Sequence, residues 1–265
     1  MAFSEPSKSG REAEAVLMMV ADDPAALIAE VSALDSIAGL SLGPTVALQA
    51  DDSYFDSPDK ALTGRGLALR LRRLPDRSLI GLKGEEMWTE KGVLRLELEA
   101  PWSSNSLADV LHELGFREVR LTWPGTAITG ADPQDVLASM DLAAFQTRQL
   151  SRCARPVLDA DGDAVAELAV DTVTQEVAAT RLTYREIEVE AADASSAAVV
   201  SDLSEALLAA FPDGLMAWSH SKLATGIALE RMAVSNGLAG IVASDGNLTP
   251  SGVEALAAEL GTDEP

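Results

Sequence analysis

In the stretch TYREIEVEA, residues 183–191, Glu186, Glu188 and Glu190 fall on every second position, with Ile187 and Val189 between them. Successive side chains of a strand point to opposite faces, so three carboxylates line one face and branched apolar residues the other. The same period recurs along the chain. RLELEA at 95–100 puts Arg95, Glu97 and Glu99 on one face, VAELAVDTV at 165–173 does so with Glu167 and Asp171, and REAEAV at 11–16 with Glu12 and Glu14. Other strands carry basic groups: Arg70 and Arg72 in LALRLRR at 67–73, Lys83 at the end of LIGLK at 79–83, and Arg148 and Arg152, four apart, in 145–152. Guanidinium and ammonium groups hold phosphate oxygens, arginine through a two-pronged fork. Clustered carboxylates hold hard cations such as Mg2+ or Mn2+ through oxygen ligands. A ligand that needs both is a polyphosphate bound with its metal.

Such faces have two readings. An antiparallel sheet with one side on a core and one in water also alternates. Here, however, at least six strands carry almost only ionised groups on the alternate face. If the strands curl into a barrel, one face becomes the interior. With the apolar side inward the charges are scattered outside; with the charged side inward they line a wet tunnel and helices cover the apolar outside. Helices are available for that. Asp22-Asp23-Pro24 reads as a helix start before Leu27, Ile28, Val31, Leu34 and Ile37. Ser106 can cap a helix carrying Leu107, Val110, Leu111 and Leu114, closed by Gly115. A third helix spans about 195–211, a fourth leads from 219 to 232, and Thr249-Pro250 starts a last one through Leu260. REAEAV, RLELEA and YREIEVEA are each followed by such a segment.

Composition narrows the function. The chain has 265 residues and a net charge of −22, from 20 Lys and Arg against 42 Asp and Glu. That balance argues against general binding to nucleic acid or to anionic membranes, which need a broad basic field. Cys153 is the single cysteine, so no internal disulfide forms. No apolar run suits a signal peptide or a membrane span, and a cytoplasmic location is expected. His112 and His220 are the only histidines, and neither sits in a nucleophile or zinc pattern.

In order along the chain, Glu12-Ala13-Glu14-Ala15-Val16, YFDSP at 54–58 with RGLALRLRR at 65–73, GLKGE at 81–85, RLELEA, TRQLSR at 147–152, ELAVD at 167–171, REIEVE at 185–190 and HSKLATG at 220–226 resemble the motifs of the CYTH domains, the triphosphate tunnel metalloenzymes. The resemblance covers about residues 11–232. It leaves 1–10 as a disordered N-terminus and 233–265 as an accessory C-terminal tail with a short helix. It implies an α+β fold built on a closed eight-stranded antiparallel β-barrel, with a charged interior and helices packed outside. It also implies metal-dependent hydrolysis of a triphosphate-containing substrate, most simply inorganic triphosphate, with Mg2+ or Mn2+. By that resemblance Glu12, Glu14, Glu188 and Glu190 bind metal, and Arg70, Arg72, Lys83, Arg95, Arg148, Arg152 and Lys222 bind phosphate, with Lys83, Arg70 and Arg72 closest to the chemistry. Glu97, Glu99, Glu167, Asp171 and Glu186 support them. Val16 stands where the family has a lysine and Thr225 where it has an arginine. Val16 keeps a second reading open, a polyphosphate or nucleotide-binding module without turnover. A third is an adenylate cyclase of class IV type.

Overall fold

The computed structural model describes residues 13–89, 92–121, 130–193, 196–235 and 237–261. The expected disordered segment 1–10 lies outside these residues, as does Glu12. The described chain forms β1 (Glu14–Met19), α1 (Pro24–Ser32), β2 (Ser36–Ile37), β3 (Leu40–Leu42), β4 (Val46–Asp56), a 3-10 turn (Thr63–Arg65), β5 (Leu67–Arg73), β6 (Ser78–Thr89) and β7 (Gly92–Pro101). There follow α2 (Ser104–Phe116), α3 (Pro133–Ala138), β8 (Ala143–Leu158), β9 (Ala164–Val177), β10 (Thr180–Ala191), α4 (Ala197–Ala210), β11 (Leu215–Trp218), α5 (Lys222–Ser235) and α6 (Pro250–Gly261). The strands that alternate in sequence are strands, and each of β1, β7 and β10 leads into a helix. No helix among the described residues is long and apolar enough to cross a membrane.

The chain divides into two compact units. The described residues of one fall in Ala50–Thr147, and those of the other in Glu12–Gln49 and Arg148–Pro265. In the first, antiparallel pairing runs β4-β5-β6-β7. Leu67, Leu69, Leu71, Ile80, Leu82 and Leu96 lie on one face, with Phe55, and pack against Leu107, Val110 and Leu114 of α2 and Val136 and Leu137 of α3. Ser103, not Ser106, caps α2. Its hydroxyl accepts from the Ser106 amide, and the Ser106 hydroxyl accepts from the Ser103 amide. The helix then runs through Gly115 to Phe116.

In the second unit the order is β11-β1-β10-β9-β8, with the β2–β3 hairpin paired to β8. Leu17, Ile187, Val189, Leu168 and Val157 cover one face and pack against Leu27 and Val31 of α1 and Val200, Leu203 and Leu207 of α4. Asp23 caps α1, accepting from the amides of Ala25 and Ala26. The helix stops at Ser32, short of the expected Ile37. Ala38 and Gly39, with φ of 50° and 80°, form the tight left-handed turn that pairs Ile37 with Leu40. Arg155 locks this corner. Its guanidinium donates to the carbonyls of Ser32, Leu34, Leu42 and Gly43 over 2.6–3.1 Å. Four carbonyls on one fixed cation are hard to replace with water, so Arg155→Met is expected to lose about 2 kcal/mol in urea denaturation. A loss under half that value means water replaces the guanidinium.

The C-terminal segment belongs to this second unit. The Thr183 amide donates to Gly246 and the Leu248 amide to Thr183. Asn247 accepts from Arg185 at 2.7 Å, and Glu259 of α6 pairs with Arg231 of α5 at 3.2 Å. The fold is α+β with antiparallel sheet and helices, as expected, but the closed eight-stranded barrel is not found. Closure requires two hydrogen-bonded neighbours for every strand. Among the described residues β7 pairs only with β6, and β11 only with β1.

Candidate functional site

In the first unit, ladder partners place Tyr54, Arg70, Gly81 and Glu99 in one row across β4, β5, β6 and β7. Asp52 and Arg72 form the next row, and Lys83 and Glu97 a third. All lie on the face opposite the leucines. Arg72 forks onto Asp52, with Nε to Oδ1 at 2.7 Å and Nη2 to Oδ2 at 2.9 Å. Arg70 reaches the same carboxylate at 3.6 Å and also donates to Glu99 on β7. It crosses β6 over Gly81, where a Cβ would stand 3.4 Å from the Glu99 carboxylate and 3.8 Å from Arg70 Nε. Lys83 is paired with Glu97. Burial alone would lower the Arg70 pKa, but Tyr54, Asp52 and Glu99 outweigh it and hold the guanidinium above its ordinary value. Burial would raise Glu99, but Arg70, Arg72 and Lys83 hold it below the usual carboxylate range. Three expected phosphate binders, Arg70, Arg72 and Lys83, thus share one face with Glu97 and Glu99.

Asp52 was not among the expected site residues. The signal was present: in TVALQADDSYF, alternation puts Asp52 and Tyr54 on the side opposite Phe55. Arg95 pairs with Glu86 in the β6–β7 ladder; its side chain lies outside the described part.

In the second unit the rows run Met18, Glu186, Asp171 and Arg152, then Val16, Glu188 and Ala169, then Glu14, Glu190 and Glu167. Arg152 forks onto Asp171 at 2.8 and 2.7 Å, donates to Glu188, and lies 3.9 Å from Glu167. Lys222, the first residue of α5, pairs with Asp171 at 2.9 Å and with Glu186 and Glu188. Burial pushes Lys222 and Arg152 down, but the carboxylates around them prevail and both are held above their ordinary values. Glu188 goes the other way. Burial would raise it, and Lys222 and Arg152 hold it far down. Glu186 is pushed up, first by burial, against the pull of Lys222 and with Glu188 and Asp171 adding to the rise.

Among the described residues, the carboxylate oxygens of Asp171, Glu186 and Glu188 converge, within 4.8 Å of one another. Of the expected metal ligands, Glu188 belongs to this group, and Glu12 lies outside the described residues. Glu190 is half-buried and Glu14 exposed, and they sit one row further along with exposed Glu167. Asp171 and Glu186, expected in support, take the central places. Arg148 is buried opposite Gln175, away from the row that holds Arg152. The oxygen-only donor set fits a hard divalent ion. So does the second oxygen of Glu186, which is buried without a hydrogen-bond partner among the described residues.

The CYTH domain model matches residues 28–211. Comparison with curated proteins by sequence returns no match. Among solved structures, a candidate adenylate cyclase of Bacillus halodurans is 17% identical, with a TM-score of 0.47 over 81% of this chain and 96% of that one. A candidate adenylyl cyclase of Hippeastrum, described as having a dominant triphosphatase activity, is 17% identical, with a TM-score of 0.48 over 82% and 95%. A protein of Pyrococcus horikoshii is 15% identical, with a TM-score of 0.44 over 82% and 99%. The match to the family model spans well over half of the sequence, and the chain belongs to the CYTH domain family.

Proposed function

We propose that this protein is a metal-dependent phosphohydrolase acting on a triphosphate-containing substrate, most simply inorganic triphosphate. The observation that carries the reading is how charge is sorted. In one unit Arg70 and Arg72 are paired with one fully buried carboxylate, and in the other three carboxylates converge around Lys222. Asp171, Glu186 and Glu188 would hold Mg2+ or Mn2+, which when bound supplies Lewis-acid polarisation of a phosphoryl oxygen and a more acidic water. The resemblance assigns Arg70, Arg72, Lys83, Arg95, Arg148, Arg152 and Lys222 to phosphate oxygens. Asp52 and Glu99 fix the direction of the Arg70 and Arg72 forks before any anion arrives. Such preorganised charge carries most of phosphoryl-transfer catalysis. Glu97 does the same for Lys83.

A second reading is a polyphosphate-binding module without turnover. Val16 favours it, because it faces Glu188 in the ladder with an apolar side chain where the family has a lysine. One panel separates these readings. Tripolyphosphate, thiamine triphosphate and ATP are each incubated with Mg2+, Mn2+ or EDTA, and orthophosphate and cyclic AMP are measured. Metal-dependent orthophosphate from tripolyphosphate is expected. Saturable binding without release, reversed by Val16→Lys, would establish the module instead. Cyclic AMP formed from ATP would establish a cyclase.

A further inference from the structure

Lys222 sits where the functional reading places the metal. Its ammonium lies against Asp171, Glu186 and Glu188 together, touching one oxygen of each. An ammonium has three N–H donors, and three carboxylates use them all. These are the same three residues whose oxygens converge for an ion. A divalent ion and the ammonium cannot share the space between them.

The helix that carries this side chain is anchored by a contact of its own. Thr225, on the same helix, is fully buried and accepts from the indole nitrogen of Trp218 at 3.2 Å. Trp218 is the ladder partner of Val16. The two positions where the chain departs from its family, 16 and 225, therefore meet on one tryptophan, which anchors α5. Beside Glu188, β1 offers no cation, only Val16. The cation comes from the first turn of α5, where the helix dipole disfavours positive charge, so the carboxylates hold it there.

We propose that Lys222 is a tethered counter-cation that occupies the place of the divalent ion in the free protein and lowers its affinity for metal until the ammonium is drawn away. The proposal rests on the reading of Asp171, Glu186 and Glu188 as the metal ligands. It makes Lys222 a positioning residue that controls when the ion enters, in addition to any contact with phosphate.

The test is Mn2+ binding by calorimetry, with thermal melting in EDTA and in Mn2+, for the full chain and for Lys222→Met and Lys222→Gln. Removing the ammonium leaves buried carboxylates uncompensated, so both variants should melt below wild type in EDTA. Mn2+ should then restore them, and bind them at least about tenfold more tightly than wild type, because an ion that binds only the folded state stabilises it by mass action. A variant too weak to fold in EDTA should fold on addition of Mn2+, seen by circular dichroism. Equal Mn2+ affinity and equal melting shifts in all three proteins overturn the proposal, as does a variant that stays unfolded with Mn2+. If wild type still releases phosphate with metal in that case, the functional reading survives and the role given to Lys222 fails. If no form binds Mn2+, both fail.

Discussion

Asp52→Ala should lose about 3–5 kcal/mol of stability in urea denaturation, the usual cost of removing one partner from a buried ion pair. Exposed pairs are worth far less, at most about 1 kcal/mol, so the estimate turns on burial. The Asp52 side chain is 0% exposed, and Arg70 and Arg72 are 13% and 12% exposed. Removing the carboxylate leaves two guanidinium groups on adjacent positions of one strand face, with Glu99 paired to Arg70. The charge matters more than the shape. Asp52→Asn should therefore fall well below wild type as well, although it fills the same space. Added tripolyphosphate should return part of the loss in either variant, since an anion can pair with the bared forks. A loss under about 1 kcal/mol would mean that water already screens the pair and that Asp52 does not organise the arginines.

How much of this could be read beforehand depends on which interactions are local. A two-residue period is a property of one strand, so β5, β7, β9 and β10 were visible with their charged faces. Asp23-Pro24 and Thr249-Pro250 announced helices because capping is also local. Which charges meet is a matter of register between strands, and that is not written in any one of them. Glu186, Glu188 and Glu190 look equivalent in REIEVE. The β9–β10 ladder aligns Glu186 with Asp171 and Glu190 with Glu167. A shift of two residues would have chosen another pair and kept the same faces. The expected metal group of Glu12, Glu14, Glu188 and Glu190 and the observed convergence of Asp171, Glu186 and Glu188 share Glu188, and the difference between them is one of register. Lys222 was recognised as a site residue, but its place among carboxylates depends on where α5 starts. The β2–β3 hairpin was hidden because Leu34 and Ile37 continue the apolar spacing of α1, while the turn at Ala38-Gly39 overrides it. Closure of the sheet is the least local property of all, and among the described residues the ladder does not close.

The other large effect is expected at Asp56, at the end of β4 in the motif YFDSP. Its carboxylate accepts from the amides of Ser57 at 2.8 Å, Leu62 at 2.9 Å and Thr63 at 2.9 Å, and from the Thr63 hydroxyl at 2.6 Å. One side chain thereby closes the loop that leads to the arginine strand β5. Leaving these donors unsatisfied, some of them buried, should cost about 2–4 kcal/mol in Asp56→Ala. Burial alone would raise this carboxyl, but the Thr63 hydroxyl and the three amides outweigh it and hold its pKa below the ordinary value. A carboxyl depressed on folding adds stability above its unfolded pKa of about 4 and loses it as pH falls through the folded value. Wild type and Asp56→Ala should therefore differ most near neutral pH, and their urea midpoints should draw together as the pH drops below about 4. Glu99 and Glu188 are depressed too, so both proteins weaken in acid; only the narrowing difference between them reports on Asp56. A difference that stays constant from neutral to acid pH would show that the loop depends on the shape of the side chain and not on its charge.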